Sequence, residues 1–179
     1  MHSSFLPVAP VPVLETARLK LRGHRLDDFT ACAAMWADTM VTRYISGKPS
    51  TEEESWSRLL RYVGHWTLLG FGYWVVEEKA MGSFAGEIGF ADYKRKLEPS
   101  LKDVPEIGWV LTTQAQGRGY ATEAARAVIA WGDAHLESSR TWCIVHPDNF
   151  PSIRVAGKCG YRELLRTTYR GQPTTVFLR

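Results

Sequence analysis

The chain contains no apolar run near the roughly 18 residues a membrane-spanning helix needs, so a membrane is not an expected partner. Cysteine is scarce. Cys32, Cys143 and Cys159 are odd in number, and their spacings match no zinc motif. They read as reduced, small apolar residues of a cytoplasmic protein rather than a disulfide framework. Neither sign of charge dominates, since 22 Lys and Arg face 19 Asp and Glu. The basic residues are spread along the chain, which argues against a nucleic-acid surface. Lys and Arg are missing from the opening MHSSFLPVAPVPVL, and Pro7, Pro10 and Pro12 break up its apolar residues. This is not a secretory signal. It predicts a flexible, extended proline-rich arm over residues 1–13, ahead of a single domain over 14–179. At 179 residues the chain suffices for one well-filled core.

Several catalytic signatures are also missing. No G-x-S-x-G elbow and no H-E-x-x-H occurs. The glycine-bearing loop Gly117-Arg118-Gly119-Tyr120 lacks the Lys-Ser/Thr pair with which a P-loop meets phosphate and magnesium. Thr122 occupies the position where a dinucleotide fingerprint needs Gly or Ala, and no acidic residue follows at the required distance. Cys143 and His146 are too few for a metal centre, so no metal is expected.

What is present is a regular alternation of elements. ARLKLR (17–22) alternates as a half-buried strand. The segment from Arg25 to Ile45 predicts a helix with Phe29, Ala33 and Trp36 on one face and Asp27 or Asp28 as N-cap. Thr51 with Glu54 forms a capping box for a helix whose apolar face is expected to be Trp56, Leu59, Leu60 and Val63, ending at Gly70. FGYWVVEE and SFAGEIGFADY read as a hairpin. Residues 94–103, charged and containing Pro99, read as a surface loop. PEIGWVL is a strand, GYATEAARAVIAWGDAHL a long amphipathic helix, and TWCIVHP a strand. DNFPSIRVAGKCG is a short helix closed by Gly160. YRELLRTTYR and TTVFLR are final strands joined by Gly-Gln-Pro. The expected class is mixed α/β (α+β): a mostly antiparallel central sheet, one parallel strand pair formed by a right-handed crossover, and flanking helices. Gly117 and Gly119 let an anion approach backbone N–H groups at a helix N-terminus, with Arg118 as an added cation. A plain strand-to-helix turn fits the same residues.

Gln114-Ala115-Gln116-Gly117-Arg118-Gly119, continued by Tyr120 and Ala121, resembles the Gln/Arg-x-x-Gly-x-Gly/Ala signature of the GNAT superfamily of acyl-CoA N-acetyltransferases. LETARLKLR (14–22) and HPDNFPSIRVAGKCGY (146–161) are similar to its branch of ribosomal-protein N-terminal (alanine) acetyltransferases. The resemblance spans about 14–179 and implies an acetyl-CoA-dependent N-acetyltransferase. Its cosubstrate would be acetyl-CoA. Its acceptor would be a primary amine of a small molecule or a protein N-terminus, and the protein would be a monomer or a homodimer.

The resemblance also implies that strands 106–111 and 141–146 splay apart after a bulge and admit pantetheine between them. The backbone of Val110 and Leu111 would meet its amides, and N–H groups near Trp109 and Val110 would face a thioester oxyanion. The loop residues Gln116, Gly117, Arg118, Gly119, Tyr120, Ala121 and Thr122 would hold the pyrophosphate. Glu106 is the candidate general base, against a solvent-facing Glu or a structural ion pair. Asn149 and Ser152 are good helix caps; the resemblance also places them near pantetheine and thiol, and both roles are compatible. Some members use a Tyr of this helix as the acid. None is present here, which leaves Ser152 or unassisted release of the thiolate. Trp36, Tyr44, Trp66, Phe71 and Tyr73 are available to line the acceptor site. A non-catalytic acyl-CoA-binding module is the alternative.

Overall fold

A computed structural model describes residues 10–98 and 100–179. Most of the expected arm (1–9) and Pro99 lie outside the described residues. The strands are β1 (Leu14–Glu15), β2 (Leu19–Arg22), β3 (Tyr73–Glu78), β4 (Ser83–Ala91), β5 (Glu106–Leu111), β6 (Trp142–Val145), β7 (Arg162–Tyr169) and β8 (Gln172–Leu178). The helices are α1 (Phe29–Ala37), α2 (Thr39–Thr42), α3 (Glu52–Leu69), α4 (Tyr120–His135) and α5 (Phe150–Lys158). The strands form one sheet in the order β1-β2-β3-β4-β5-β6-β8-β7. Every pairing is antiparallel except β5 with β6. That is the mixed sheet the element order predicts, and α4 is the crossover of its parallel pair.

Alternation along the strands sorts the sheet into two faces. Trp74, Ile88, Phe90 and Ile107 join Tyr120, Ala124, Ala125 and Val128 of α4 in the main core. The opposite face carries Tyr73, Glu87, Glu106 and Val110, and α1 and α3 cover it. This second face is rich in polar groups, and that alters the helices packed on it. On α3 the capping box forms as expected: Thr51 Oγ1 accepts from Glu54 N at 3.1 Å, and Glu54 accepts from Thr51 N at 2.8 Å. The helix stops at Gly70, whose φ of 71° suits glycine. Its buried residues, however, are Ser55, Leu59, Tyr62 and His65. Of the expected apolar face only Leu59 is inside, while Trp56, Leu60 and Val63 are exposed. The tyrosine-lined sheet face selects Tyr62, and the Asp92 carbonyl accepts from His65 Nε2 at 3.3 Å. Hydrophobicity alone points to the wrong stripe.

The helix expected over 25–45 is broken at Asp38, whose extended backbone (ψ 120°) ends α1 and whose carboxylate caps α2 through Met40 N. Cys32, Met35 and Trp36 are its buried residues, so the face is rotated away from Phe29 and Ala33. Asp28 stands at the N-cap of α1 without capping it. Its carboxylate is taken by Arg22 at 2.7 and 2.8 Å and by Arg25 N at 2.6 Å. The 94–103 segment is not all surface, since Leu97 packs with Trp142 and Val176. The last hairpin turns through Arg170 and Gly171, both at positive φ, the two-residue geometry that suits sheet twist. Pro173 is therefore inside β8, beyond the part of that strand paired to β6. Pro12 is held to the domain by a 2.8 Å bond from Trp74 Nε1 to its carbonyl.

Candidate active site

β5 and β6 share a single register pair, Glu106 with Trp142. Trp142 N donates to Pro105 O at 3.2 Å at the same level. Beyond it the strands diverge, while the other edge of β5 stays paired to β4 from Glu106 to Leu111. The result is a wedge with its apex at Glu106 and its mouth at Leu111. In a strand the N–H and C=O of one residue point to the same side, and successive residues alternate. Pro105 O faces β6, and Thr112 N donates toward β4, to Ala85 O at 3.0 Å. Ile107, Trp109 and Leu111 therefore turn their backbone groups into the wedge. The backbone of Val110, expected there with Leu111, is turned toward β4. Leu111 O already accepts from Gln116 Nε2 at 3.1 Å. Ala85 is the unpaired residue of an irregularity between β3 and β4, beside Gly86 at φ 154°.

A 3-10 turn, Thr113–Ala115, leads from the wedge mouth to α4. Gly117 and Gly119 follow at φ 74° and 81°, and Gly119 is the N-cap of α4. These left-handed conformations explain both glycines. The first bond of the helix runs from Glu123 N to Gly119 O. The N–H groups from Gly117 to Thr122 have no acceptor among the described residues. Together with the positive end of the helix they make an anion cradle. The loop side chains are committed elsewhere. The Arg118 guanidinium, expected as a mobile cation, is on Glu78 at 2.7 and 3.2 Å. Tyr120 is buried, with its hydroxyl on the same Glu78 at 2.6 Å. Hydrogen bonds from Tyr120 and Arg118 hold the Glu78 carboxyl below its ordinary value. What Tyr120 and Ala121 offer a ligand is backbone.

Glu106 is 5% exposed at the wedge apex. Arg95 grips it with Nε at 2.6 Å and Nη2 at 3.0 Å. The guanidinium is stacked over Tyr93 and Tyr169. Burial pushes the Glu106 carboxyl above its ordinary 4.5, and Arg95 opposes that shift without cancelling it. A carboxylate offers about four acceptor positions, so two remain. Arg95 is missed by the sequence reading because it belongs to a segment that looks like a surface loop.

On the other bank, Asn149 caps α5 by accepting from Ser152 N at 3.2 Å. Ser152 Oγ accepts from Trp109 Nε1 at 3.3 Å. Ser152, expected near the thiol with Asn149, thus meets the side chain of Trp109, whose backbone is expected at the oxyanion. His146 follows β6 with its Nδ1 accepting from Asp148 N at 3.2 Å, and its ring lies 5.4 Å from that of Tyr44. Tyr44 and Tyr73 come to the Glu106 side of the sheet. Trp66 packs on Trp74 and Trp131, on the α4 side, and Phe71 packs against the same main core.

A second buried carboxylate is absent from the sequence-based candidates. Glu87 of β4 is 1% exposed. It accepts from Trp36 Nε1 at 2.8 Å and from Cys32 Sγ at 3.2 Å, and His24 Nε2 lies at 3.0 Å. An acidic residue inside the apolar run SFAGEIGF was the available signal. The donor atoms of His24, Cys32 and Glu87 lie within 4.8 Å of one another. Burial first, then the neighbouring Glu87, raises the Cys32 thiol far above its ordinary value.

These features accord with known proteins. Residues 18–162 match the family described as acetyltransferase (GNAT) domain. The chain is 31% identical over 149 residues to a Bacillus subtilis (strain 168) protein named uncharacterized N-acetyltransferase YnaD, covering 83% of this chain and 82% of that one. A GnaT-family acetyltransferase structure from Bordetella pertussis superposes with a TM-score of 0.83 at 28% identity, over 94% of this chain and 99% of that one. RimL, a ribosomal L7/L12 alpha-N-protein acetyltransferase solved in complex with coenzyme A, shares the fold at TM-score 0.76 and 16% identity, over 94% and 97%. The splayed strands, the glycine cradle and these matches together make the chain a member of the GNAT acetyltransferase family, an enzyme of acetyl-CoA-dependent acetyl transfer.

Proposed function

We propose that the protein moves the acetyl group of acetyl-CoA to a primary amine by direct attack, with both substrates held together. The amine belongs to a small molecule or a protein N-terminus. The observation that carries this reading is the wedge itself: one register pair, an open β5 edge, and a buried carboxylate of raised pKa at its apex. The free N–H groups of Gly117–Thr122 suit the pyrophosphate of the coenzyme, which has no side chain to displace at either glycine. The backbone groups of Trp109 and Leu111 suit an extended amide chain in the wedge. Acetyl-CoA supplies an activated acyl group, so the residues need only bind, orient and move protons.

Glu106 takes the proton that the amine must lose, directly or through a water. A carboxyl above 4.5 is a better acceptor than an exposed one. The Trp109–Ser152 contact closes the thiol side of the wedge and fixes the start of α5. No metal takes part, and the protein works in the cytoplasm as a monomer or a homodimer. Three buried free cysteines are in keeping with a reducing compartment.

A coenzyme-A-release assay with acetyl-CoA and a panel of amines, peptides included, tests the reading. Turnover with at least one amine is expected. Tight coenzyme A binding with no turnover on any amine would leave a binding module in its place.

A further inference from the structure

Tyr73 of β3 sits in one cross-strand row with Gly89 of β4 and Gly108 of β5. Neither glycine has positive φ, so neither is required by its backbone. Gly108 is required by the Tyr73 side chain, and Gly89 by the close approach of the β3 backbone at Gly72 and Tyr73. A Cβ at Gly89 would collide with Gly72 O and Tyr73 Cα, and one at Gly108 would collide with the Tyr73 hydroxyl oxygen. Gly89 admits the β3 backbone, and Gly108 admits the Tyr73 hydroxyl. Tyr62 of α3 covers the ring from above, stacked at 4.2 Å and 3°. The hydroxyl is thereby carried from β3 to β5 and set against Gly108.

Gly108 is two residues from Glu106 on the same face, about 6.6 Å along the strand. The parallel register ends at Glu106, so the wedge opens beside Gly108. A base and a hydroxyl donor therefore flank its apex. Tyr73 is 5% exposed. Burial, then Tyr93 and Tyr62, hold it well above its ordinary value, so it stays protonated. It is a donor, never a base. α5 has no tyrosine, and Ser152 Oγ, which accepts from Trp109, is the other hydroxyl at the wedge.

We propose that Tyr73 is the general acid of acetyl transfer, the hydroxyl that protonates the sulfur of the departing coenzyme A. This rests on the acetyl-transfer reading of the wedge. The nitrogen–carbon bond to the acetyl group forms, and the carbon–sulfur bond breaks with its electron pair on sulfur. One amine proton ends on Glu106, and the phenol proton ends on sulfur. Proton return from Glu106 to the phenolate restores both groups, so the sum is amine plus thioester to amide plus thiol. The dry surroundings that raise the phenol also raise the proton affinity of a thiolate.

Tyr73→Phe tests this with the ring and stack intact. Two readings are taken beside the thermal midpoint and coenzyme A affinity, which should both match wild type. The first is kcat, expected to fall about 10²-fold, the lower range for a lost general acid. The second needs no acceptor and no turnover: the pH titration of the bound coenzyme A thiol, followed by thiolate absorbance. Loss of a hydrogen bond to the thiolate should raise its midpoint by roughly one to two pH units. An unchanged midpoint with unchanged kcat would overturn the proposal alone. A wild-type protein inert toward every amine would overturn the reading beneath it, and the thiol titration would still decide whether Tyr73 faces the sulfur. Gly108→Ala, which displaces the hydroxyl without removing it, should raise the same midpoint; wild-type behaviour there would also count against the proposal.

Discussion

Glu87 and Glu106 are buried carboxylates on adjacent strands, on the same face of one sheet, yet their surroundings set them apart. Glu87 is met by His24, Trp36 and Cys32. Burial pushes its carboxyl up, but His24, Trp36 and Cys32 together outweigh that and hold it below 4.5. Among the described residues Glu106 has Arg95 alone, and burial wins, so its carboxyl stands above 4.5. Glu87 lies where β4 is paired on both edges. Glu106 lies where pairing ends. A carboxylate held low by several donors in a closed strand pair is a structural anion. One held high by a single cation at an opening is poised to take a proton.

The largest expected effect separates the two by function. Glu106→Gln should lower kcat by about 10²–10⁴-fold and leave coenzyme A affinity unchanged, because the cradle is backbone at Gly117–Thr122. Glu87→Gln should leave kcat within about twofold. Reversed outcomes in the amine assay would exchange the two roles.

The next effect separates them by stability. Glu87→Gln removes the charge that three donors surround, a loss of about 1–3 kcal/mol, or roughly 2–12 °C in Tm for a chain of this size. The sign with pH follows from its lowered carboxyl. The stability that Glu87 contributes is present above 4.5 and is lost as pH falls through its lower folded value. The variant should lose that part of the acid sensitivity. Glu106 has the opposite sign, since its raised carboxyl makes ionisation a cost that acidification relieves. Thermal melts between mildly acidic and neutral pH, on wild type and both variants, measure this. A Glu87→Gln protein as stable as wild type at neutral pH would break the comparison.

The smallest effect concerns Arg95. It lowers the Glu106 carboxyl against burial, so Arg95→Gln should move the acidic limb of kcat/KM to higher pH. A limb that stays in place would mean that Arg95 only positions its loop.

The sequence makes some of this legible and hides the rest for identifiable reasons. Element order, the crossover around α4, the Thr51–Glu54 box, the Gly70 stop and the Gly117–Gly119 loop are local features, carried by capping chemistry and backbone conformation within a few residues. The buried stripe of α3 is not local. Tyr62 and His65 go inside because of Tyr73 and the Asp92 carbonyl, while Trp56, Leu60 and Val63 stay out. Arg95 and Glu87 are hidden for the same reason, since a charged residue gives no sign of burial until its partner from another segment is known. Gly89 and Gly108 look like two flexible glycines in sequence, and only the cross-strand row shows that one admits the β3 backbone and the other the Tyr73 hydroxyl. The direction of the Val110 backbone follows the two-residue alternation along β5, which depends on register.

The most direct test of the account is the pH dependence of kcat/KM for wild type and Glu106→Gln, measured side by side with coenzyme A affinity. The account predicts a wild-type acidic limb with its midpoint above 4.5, a variant slower by about 10²-fold or more without that limb, and equal affinities. Equal rates and the same limb in both proteins would contradict it.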